Sequence, residues 1–179
     1  MKHLIIYKTK YGSSEQYASW IADALHCKAV KVEDVNLNDL LSHDVIVYVG
    51  GLYAGGVIGF KQIGKHLDVL QNKKLLLCMV GSTNPAEQEK YQHFFINNVP
   101  EQYRGIVKPF ALRGNQLFSK MNVIHRIMMN VPKTMTEKIP VEQRTKDDKH
   151  FLEHYGEDIY FADRENIHDI MEYIKGLVI

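Results

Sequence analysis

Three short stretches carry the residues with chemical potential. They are Thr9-Lys10-Tyr11-Gly12-Ser13-Ser14, Gly50-Gly51-Leu52-Tyr53-Ala54-Gly55-Gly56 and Gly81-Ser82-Thr83-Asn84-Pro85. The first joins an apolar run, Leu4-Ile5-Ile6-Tyr7, to a segment in which Tyr17, Ile21, Ala24 and Leu25 recur on one helical face. A helix beginning there leaves backbone N–H groups unpaired and carries partial positive charge at its start. Thr9, Ser13 and Ser14 add hydroxyls, and Gly12 lets the backbone come close to a ligand. The chemistry on offer is the binding of a phosphate-sized anion. Ser13 followed by Gln16 also fits a capping box, and any strand-to-helix turn selects Ser, Thr and Gly. What favours a ligand is position, because this is the first such turn in a chain that continues as further β-α units.

Other phosphate and nucleophile motifs are excluded. The chain has no G-x-x-x-x-G-K-[ST] and no G-x-G-x-x-G. Thr9, not cysteine, opens the loop, which removes a thiol nucleophile, and Tyr7-Lys8 stand where a phospho-receiver would need paired acids. No catalytic acid or base is assigned and no metal is expected. His3, His43 and His66 read as surface or strand-end residues; His125 is the one histidine to test as a proton donor, and it has no visible orienting partner.

The elements that must position these stretches follow in order. The first strand, Leu4–Tyr7, and its helix lead to a short strand, Ala29–Val32, and a weak helical turn carrying Leu37, Leu40 and Leu41. Val45–Val49 is a continuous apolar run of the kind that suits a central parallel strand, and it ends in the glycines at 50 and 51. Phe60, Ile63, Leu67 and Leu70 repeat at helical spacing. A fourth strand, Leu75–Val80, runs into Asn84-Pro85 with Glu87, which reads as a capped helix start burying Tyr91, Phe94 and Phe95. The fifth strand, Ile106–Leu112, contains Pro109 and belongs at a sheet edge, because proline gives no ladder donor. A last helix starts near Asp163 and buries Ile167, Ile170, Met171 and Ile174. This alternation predicts an α/β fold: one domain with a doubly wound, five-stranded parallel sheet in the order 2-1-3-4-5. The loops after strands 1, 3 and 4 then face one crevice at the switch point.

The bulk figures agree with such a domain. The 179 residues are 45% hydrophobic, and 22 basic residues nearly balance 21 acidic ones, so no nucleic-acid partner is expected. Cys27 and Cys78 are far apart, with Cys78 in an apolar run, which suits a reducing cytoplasm. No leader is expected ahead of the first strand, and no apolar stretch approaches the ~18 residues that a membrane span needs.

The first loop resembles the phosphate loop of the flavodoxin family, [ST]-x-T-G-x-[ST]. It matches at Thr9, Gly12 and Ser14 and departs at Tyr11, where the family usually has Thr. The resemblance covers residues 1–112 and 163–175. It implies FMN as cofactor, with the phosphate on Thr9, Tyr11, Gly12, Ser13 and Ser14. The loops holding Gly51, Leu52, Tyr53, Ala54 and Gly55, and Gly81, Ser82 and Thr83, would then grip the ring. In that family an aromatic at the place of Tyr53 stacks on the flavin, a backbone carbonyl nearby meets the N5 hydrogen, and N–H groups of the later loop meet the pyrimidine end. Lys10 is read as a solvated loop lysine outside the site.

Residues 113–162 form an insert between the fifth strand and the last helix, far longer than a β-to-α loop needs. It opens with a helical candidate over 117–129 whose stripe is Leu117, Met121, Ile124 and Met128, with Lys120 and Arg126 basic. A polar stretch, Lys133–Lys149, and an aromatic-rich one, Phe151–Phe161, follow. Such a helix can cover a cofactor, bind a partner or make peripheral contact with a membrane; the expectation is that its apolar stripe packs. The insert, the Leu112-Arg113 pair and this Met-rich helix resemble the menaquinone-dependent protoporphyrinogen oxidases, although the Leu52–Gly55 loop lacks a basic residue common in that branch. The resemblance implies an FMN-dependent oxidoreductase whose partner is a redox protein, a quinone or another small molecule. The alternatives are a non-enzymatic electron carrier, disfavoured by the balanced charge and the insert, and a binding module that has lost its flavin.

Overall fold

The computed structural model describes residues 1–177. The chain divides into two compact units, Met1–Gly114 with Ala162–Ile179, and Asn115–Phe161. In the first unit β1 (His3–Lys8), β2 (Ala29–Lys31), β3 (Val45–Tyr53), β5 (Lys74–Gly81) and β6 (Val107–Arg113) form a parallel sheet. Its order is β2-β1-β3-β5-β6, as the β-α alternation predicted, and Pro109 lies on an edge strand. A two-residue strand, β4 (Gly56–Val57), pairs back on β3 in antiparallel sense.

Alternate residues of each central strand face opposite layers, so the strands are apolar throughout. Leu4, Ile6, Ile46, Tyr48, Leu75, Leu77 and Met79 point to one core. That core is covered by α2 (Leu37–Ser42), the short α3 (Lys61–Gly64) and α4 (Gln88–Asn98), through residues such as Leu40, Ile63, Tyr91 and Phe95. Ile5, Val47, Val49, Leu76, Cys78 and Val80 point to the other, covered by α1 (Ser13–Ala24) and α7 (His168–Gly176) through Tyr17, Ile21, Ile170 and Ile174. Both cysteines are free thiols; burial pushes the Cys78 thiol up and leaves it inert.

Several local expectations need correction. Ala24 is exposed, and Ala18 and Ala22 take the buried places on α1. Of Leu37, Leu40 and Leu41 only Leu40 is buried. Phe60, Ile63, Leu67 and Leu70 are all buried, but the helix is only four residues long. Bonds from His66, Val69 and Leu70 N–H to carbonyls three residues back continue it as turns, and 3-4-3 spacing keeps one face either way. Asn84 does not cap α4. Its side chain accepts from Ala86 N–H at 3.0 Å in a local turn, and the helix begins four residues later.

The second unit contains β7 (Gln116–Leu117) paired antiparallel with β8 (Asp158–Ile159), and two helices, α5 (Val123–Glu137) and α6 (Lys146–Glu153). Leu117 is buried in β7 and does not belong to a helix stripe. α5 runs through Pro132 well beyond Met129. Its apolar residues Ile124 and Met128 are exposed, contrary to the expected packing.

Candidate functional site

Register decides where the three stretches end. Lys8 pairs with Gly50, Gly51 with Val80, and Gly81 with Arg113. The carboxyl ends of β1, β3, β5 and β6 are therefore level, and the segments that follow leave the sheet on one side, next to the β1–β3 switch point.

The first loop turns into α1 through Gly12, whose φ of 100° is one that a side chain resists; the space where its Cβ would stand is open. Thr9 Oγ1 accepts from Gly12 N–H at 2.9 Å and closes the loop. The expected Ser13–Gln16 box does not form. Gly12 is the N-cap, no side chain caps the helix, and Ser13 and Ser14 are its first residues, both buried. A twelve-residue helix thus presents its positive end, flanked by hydroxyls, to the crevice. The acid in its first turn, Glu15, is drawn aside by the Tyr7 hydroxyl, which donates to it at 2.8 Å. Burial and that hydrogen bond push the Tyr7 phenol up.

The second stretch is less of a loop than its glycines suggest. Gly51, Leu52 and Tyr53 continue β3, and Ala54-Gly55 make a two-residue hairpin turn to β4. Both turn residues have positive φ, 47° and 83°, the geometry that matches strand twist. The hairpin lies against the first loop. Ser14 Oγ is 3.5 Å from where a Cβ on Gly51 would stand, and the Lys10 ammonium sits 3.8 Å from the Tyr53 ring centroid. Lys10, set aside on sequence grounds, is part of this arrangement.

The third stretch is braced from both sides. Gly114 N–H donates to the Gly81 carbonyl at 2.7 Å. A Cβ on Gly114 would come within 2.8 Å of Val80 Cγ1 and 3.2 Å of Ser13 Cβ. Three tyrosines embedded in the core pin the segments with their hydroxyls. Tyr91 donates to the Thr83 carbonyl at 2.8 Å, Tyr48 to the Ile58 carbonyl at 2.7 Å, and Tyr17 to the Arg113 carbonyl at 2.7 Å. Asn166 donates in turn to the Tyr17 oxygen at 2.8 Å. Burial pushes all three phenols up, so they remain donors throughout the physiological range.

Thr9, Tyr11, Gly12, Ser13, Ser14, Gly51 to Gly55 and Gly81 to Thr83 are thus brought to one side of one sheet. His125 lies in the second unit, buried in α5, and its backbone N–H donates to Asn122 Oδ1 at 2.9 Å as part of the helix cap. Among the described residues no cluster of metal-ligating side chains occurs. Gly114 and the three hydroxyls escaped sequence reasoning. Their one signal was a tyrosine at each of three apolar-face positions, where a buried O–H requires an acceptor.

The model of the family described as Flavodoxin domain matches residues 4–141. The chain belongs to the flavodoxin family. Membership implies FMN as cofactor, and the strand order is that of flavodoxin-like folds. The residues present suit that group: the uncapped helix end and hydroxyls suit its phosphate, and the open space at Gly12 admits it. Similar solved structures include two-electron reduced Megasphaera elsdenii flavodoxin, 20% identical, covering 62% of this chain and 85% of that one, with a TM-score of 0.47. The Trp repressor binding protein from Bacillus subtilis is 15% identical, covering 64% and 86%, also at 0.47. A WrbA-like flavodoxin from Agrobacterium tumefaciens is 14% identical, covering 69% and 87%, at 0.42. No curated protein sequence matches the chain. Flavodoxins transfer electrons to redox partners, and electron transfer through FMN is the general function of this chain.

Proposed function

We propose that this flavodoxin-family chain is an FMN-dependent oxidoreductase that passes reducing equivalents to a quinone or another small acceptor. The observation that carries the reading is the level ending of β1, β3 and β5 beside an uncapped helix start. Thr9, Tyr11, Gly12, Ser13 and Ser14 hold the phosphate through hydroxyls and backbone N–H groups. The Gly51–Gly55 hairpin and Gly81–Thr83 orient the ring, with Tyr53 its aromatic neighbour. FMN, once bound, supplies reversible uptake of one or two electrons. The protein's part is to fix the ring, and the Tyr48, Tyr91 and Tyr17 hydroxyls keep the surrounding segments still.

Balanced charge and the Asn115–Phe161 unit favour an enzyme with a small acceptor over a carrier that docks through an acidic face. Protoporphyrinogen as the reductant is the narrowest form of this reading; it rests on the resemblance at Leu112-Arg113 and the insert. The reducing compartment suited to two free thiols is the cytoplasm.

The test is a visible spectrum of the purified chain before and after FMN addition and desalting. Flavin bands should persist, and replacing Gly12 by a bulky residue should abolish them. A chain that retains no flavin at micromolar concentration overturns the proposal. Reoxidation of the reduced protein by a soluble quinone, compared with a protein acceptor, then tests the acceptor class.

A further inference from the structure

We propose that the outward face of α5 docks the protein on an anionic lipid bilayer. The helix is attached to its own unit by its polar side. His125 is buried, Tyr155 donates to Asn130 Oδ1 at 2.8 Å, and Lys133 sits 4.6 Å from the Tyr155 ring centroid. The opposite face holds Ile124, Ile127, Met128, Val131 and Met135, at the i, i+3, i+4, i+7, i+11 positions of one stripe. These five are 42–66% exposed, whereas a helix of a soluble unit normally turns such a stripe inward. At 1.5 Å per residue the stripe is about 16 Å long, enough to lie in the headgroup boundary but not to cross a membrane. Among the described residues no helix is long and apolar enough to cross one.

Charge identifies the occupant. From Phe118 to Val141 the chain carries Lys120, Arg126, Lys133 and Lys138 against a single acid, Glu137, which is itself paired with Lys133 at 3.7 Å. Lys120 and Lys138 bracket the stripe at its two ends and are exposed. An apolar stripe with cations at its margins suits an anionic headgroup plane above acyl chains. A second copy suits it poorly. Antiparallel pairing of two α5 stripes sets Lys138 against Lys120, and parallel pairing sets each lysine against its equivalent. The stripe also offers no hydrogen-bonding group that would select a protein partner.

The experiment is co-sedimentation of the full chain with vesicles of phosphatidylethanolamine and phosphatidylglycerol, and with vesicles of phosphatidylcholine alone. The chain should sediment with the anionic vesicles and release in high salt. I127D/V131D should weaken binding about 100-fold, and K120Q/K138Q roughly 30-fold, only on anionic vesicles. I127D/V131D should also keep the melting temperature within about 1–2 °C, because solvated side chains contribute little to stability. Three results overturn the proposal: no sedimentation, sedimentation that both variants leave intact, or a variant that melts several degrees lower or changes oligomeric mass. The last would mean that the stripe packs on protein. The docking face uses no residue of the flavin site, so a chain that fails to hold FMN yet binds vesicles would leave this inference standing.

Discussion

Gly114→Ala is the sharpest probe of how the site is braced. The new methyl would stand 2.8 Å from Val80 Cγ1, 3.2 Å from Ser13 Cβ and 3.3 Å from Ser13 Oγ. Favourable carbon–carbon contact lies near 3.5–4.0 Å, so the first of these is too close by about 0.7 Å or more. Val80 belongs to a central strand and Ser13 to the first turn of α1, and both are buried, so neither is a flexible tip that swings away. Overpacking of this kind costs about 1–3 kcal/mol. For a unit of this size that lowers the melting temperature by roughly 4–12 °C. Relief by moving Ser13 displaces the start of α1, where the proposed function puts the FMN phosphate. Losing one charge-assisted hydrogen bond there weakens FMN binding about tenfold. Thermal unfolding by circular dichroism and titration of flavin fluorescence measure the two effects. Val80→Ala removes the nearer obstacle, so Gly114→Ala should cost less in that background, with a coupling of about 1 kcal/mol. Additive effects in the cycle, or a Gly114→Ala protein that melts and binds like the wild type, would refute the packing argument.

Ala54, at φ 47° in the hairpin turn, should tolerate glycine with a gain of about 0.5–1 kcal/mol, read from urea unfolding; a loss of stability would mean that the turn is not strained. Tyr91→Phe removes the donor to the Thr83 carbonyl from a buried position. It should cost about 1–2 kcal/mol and speed amide exchange in residues 81–87, and unchanged exchange would show that the hydroxyl does not hold that segment. In the second unit Asp158 accepts from the Ser119 N–H at 2.8 Å and from its hydroxyl, and these bonds hold its carboxyl below the usual range. A lowered folded-state value means stability that is present above about pH 4 and lost as pH falls through the folded value. Asp158→Asn should therefore destabilise the β7–β8 pair at neutral pH and differ little from the wild type in strong acid. A difference that does not shrink on acidification would contradict this.

The parallel sheet, its order and the edge position of Pro109 were legible in the sequence because each depends on a local pattern. Doubly covered strands read as unbroken apolar runs, and proline marks an edge wherever it falls. The turn from Thr9 to Ser14 was legible for the same reason, as consecutive residues between a strand and a helix. What failed was the detail at element ends, where bonds within a turn compete closely. Asn84 chose Ala86 over a helix cap, and Gly51–Tyr53 stayed in the strand because β4 folds back to pair with it. Tertiary structure alone decided the rest. Register made the strand ends level, Gly114 came against Ser13 from a hundred residues away, and Lys10 met Tyr53 across two loops. The direction of the α5 stripe was also beyond reach of periodicity, which locates an apolar face but cannot say which side of the helix its unit will cover.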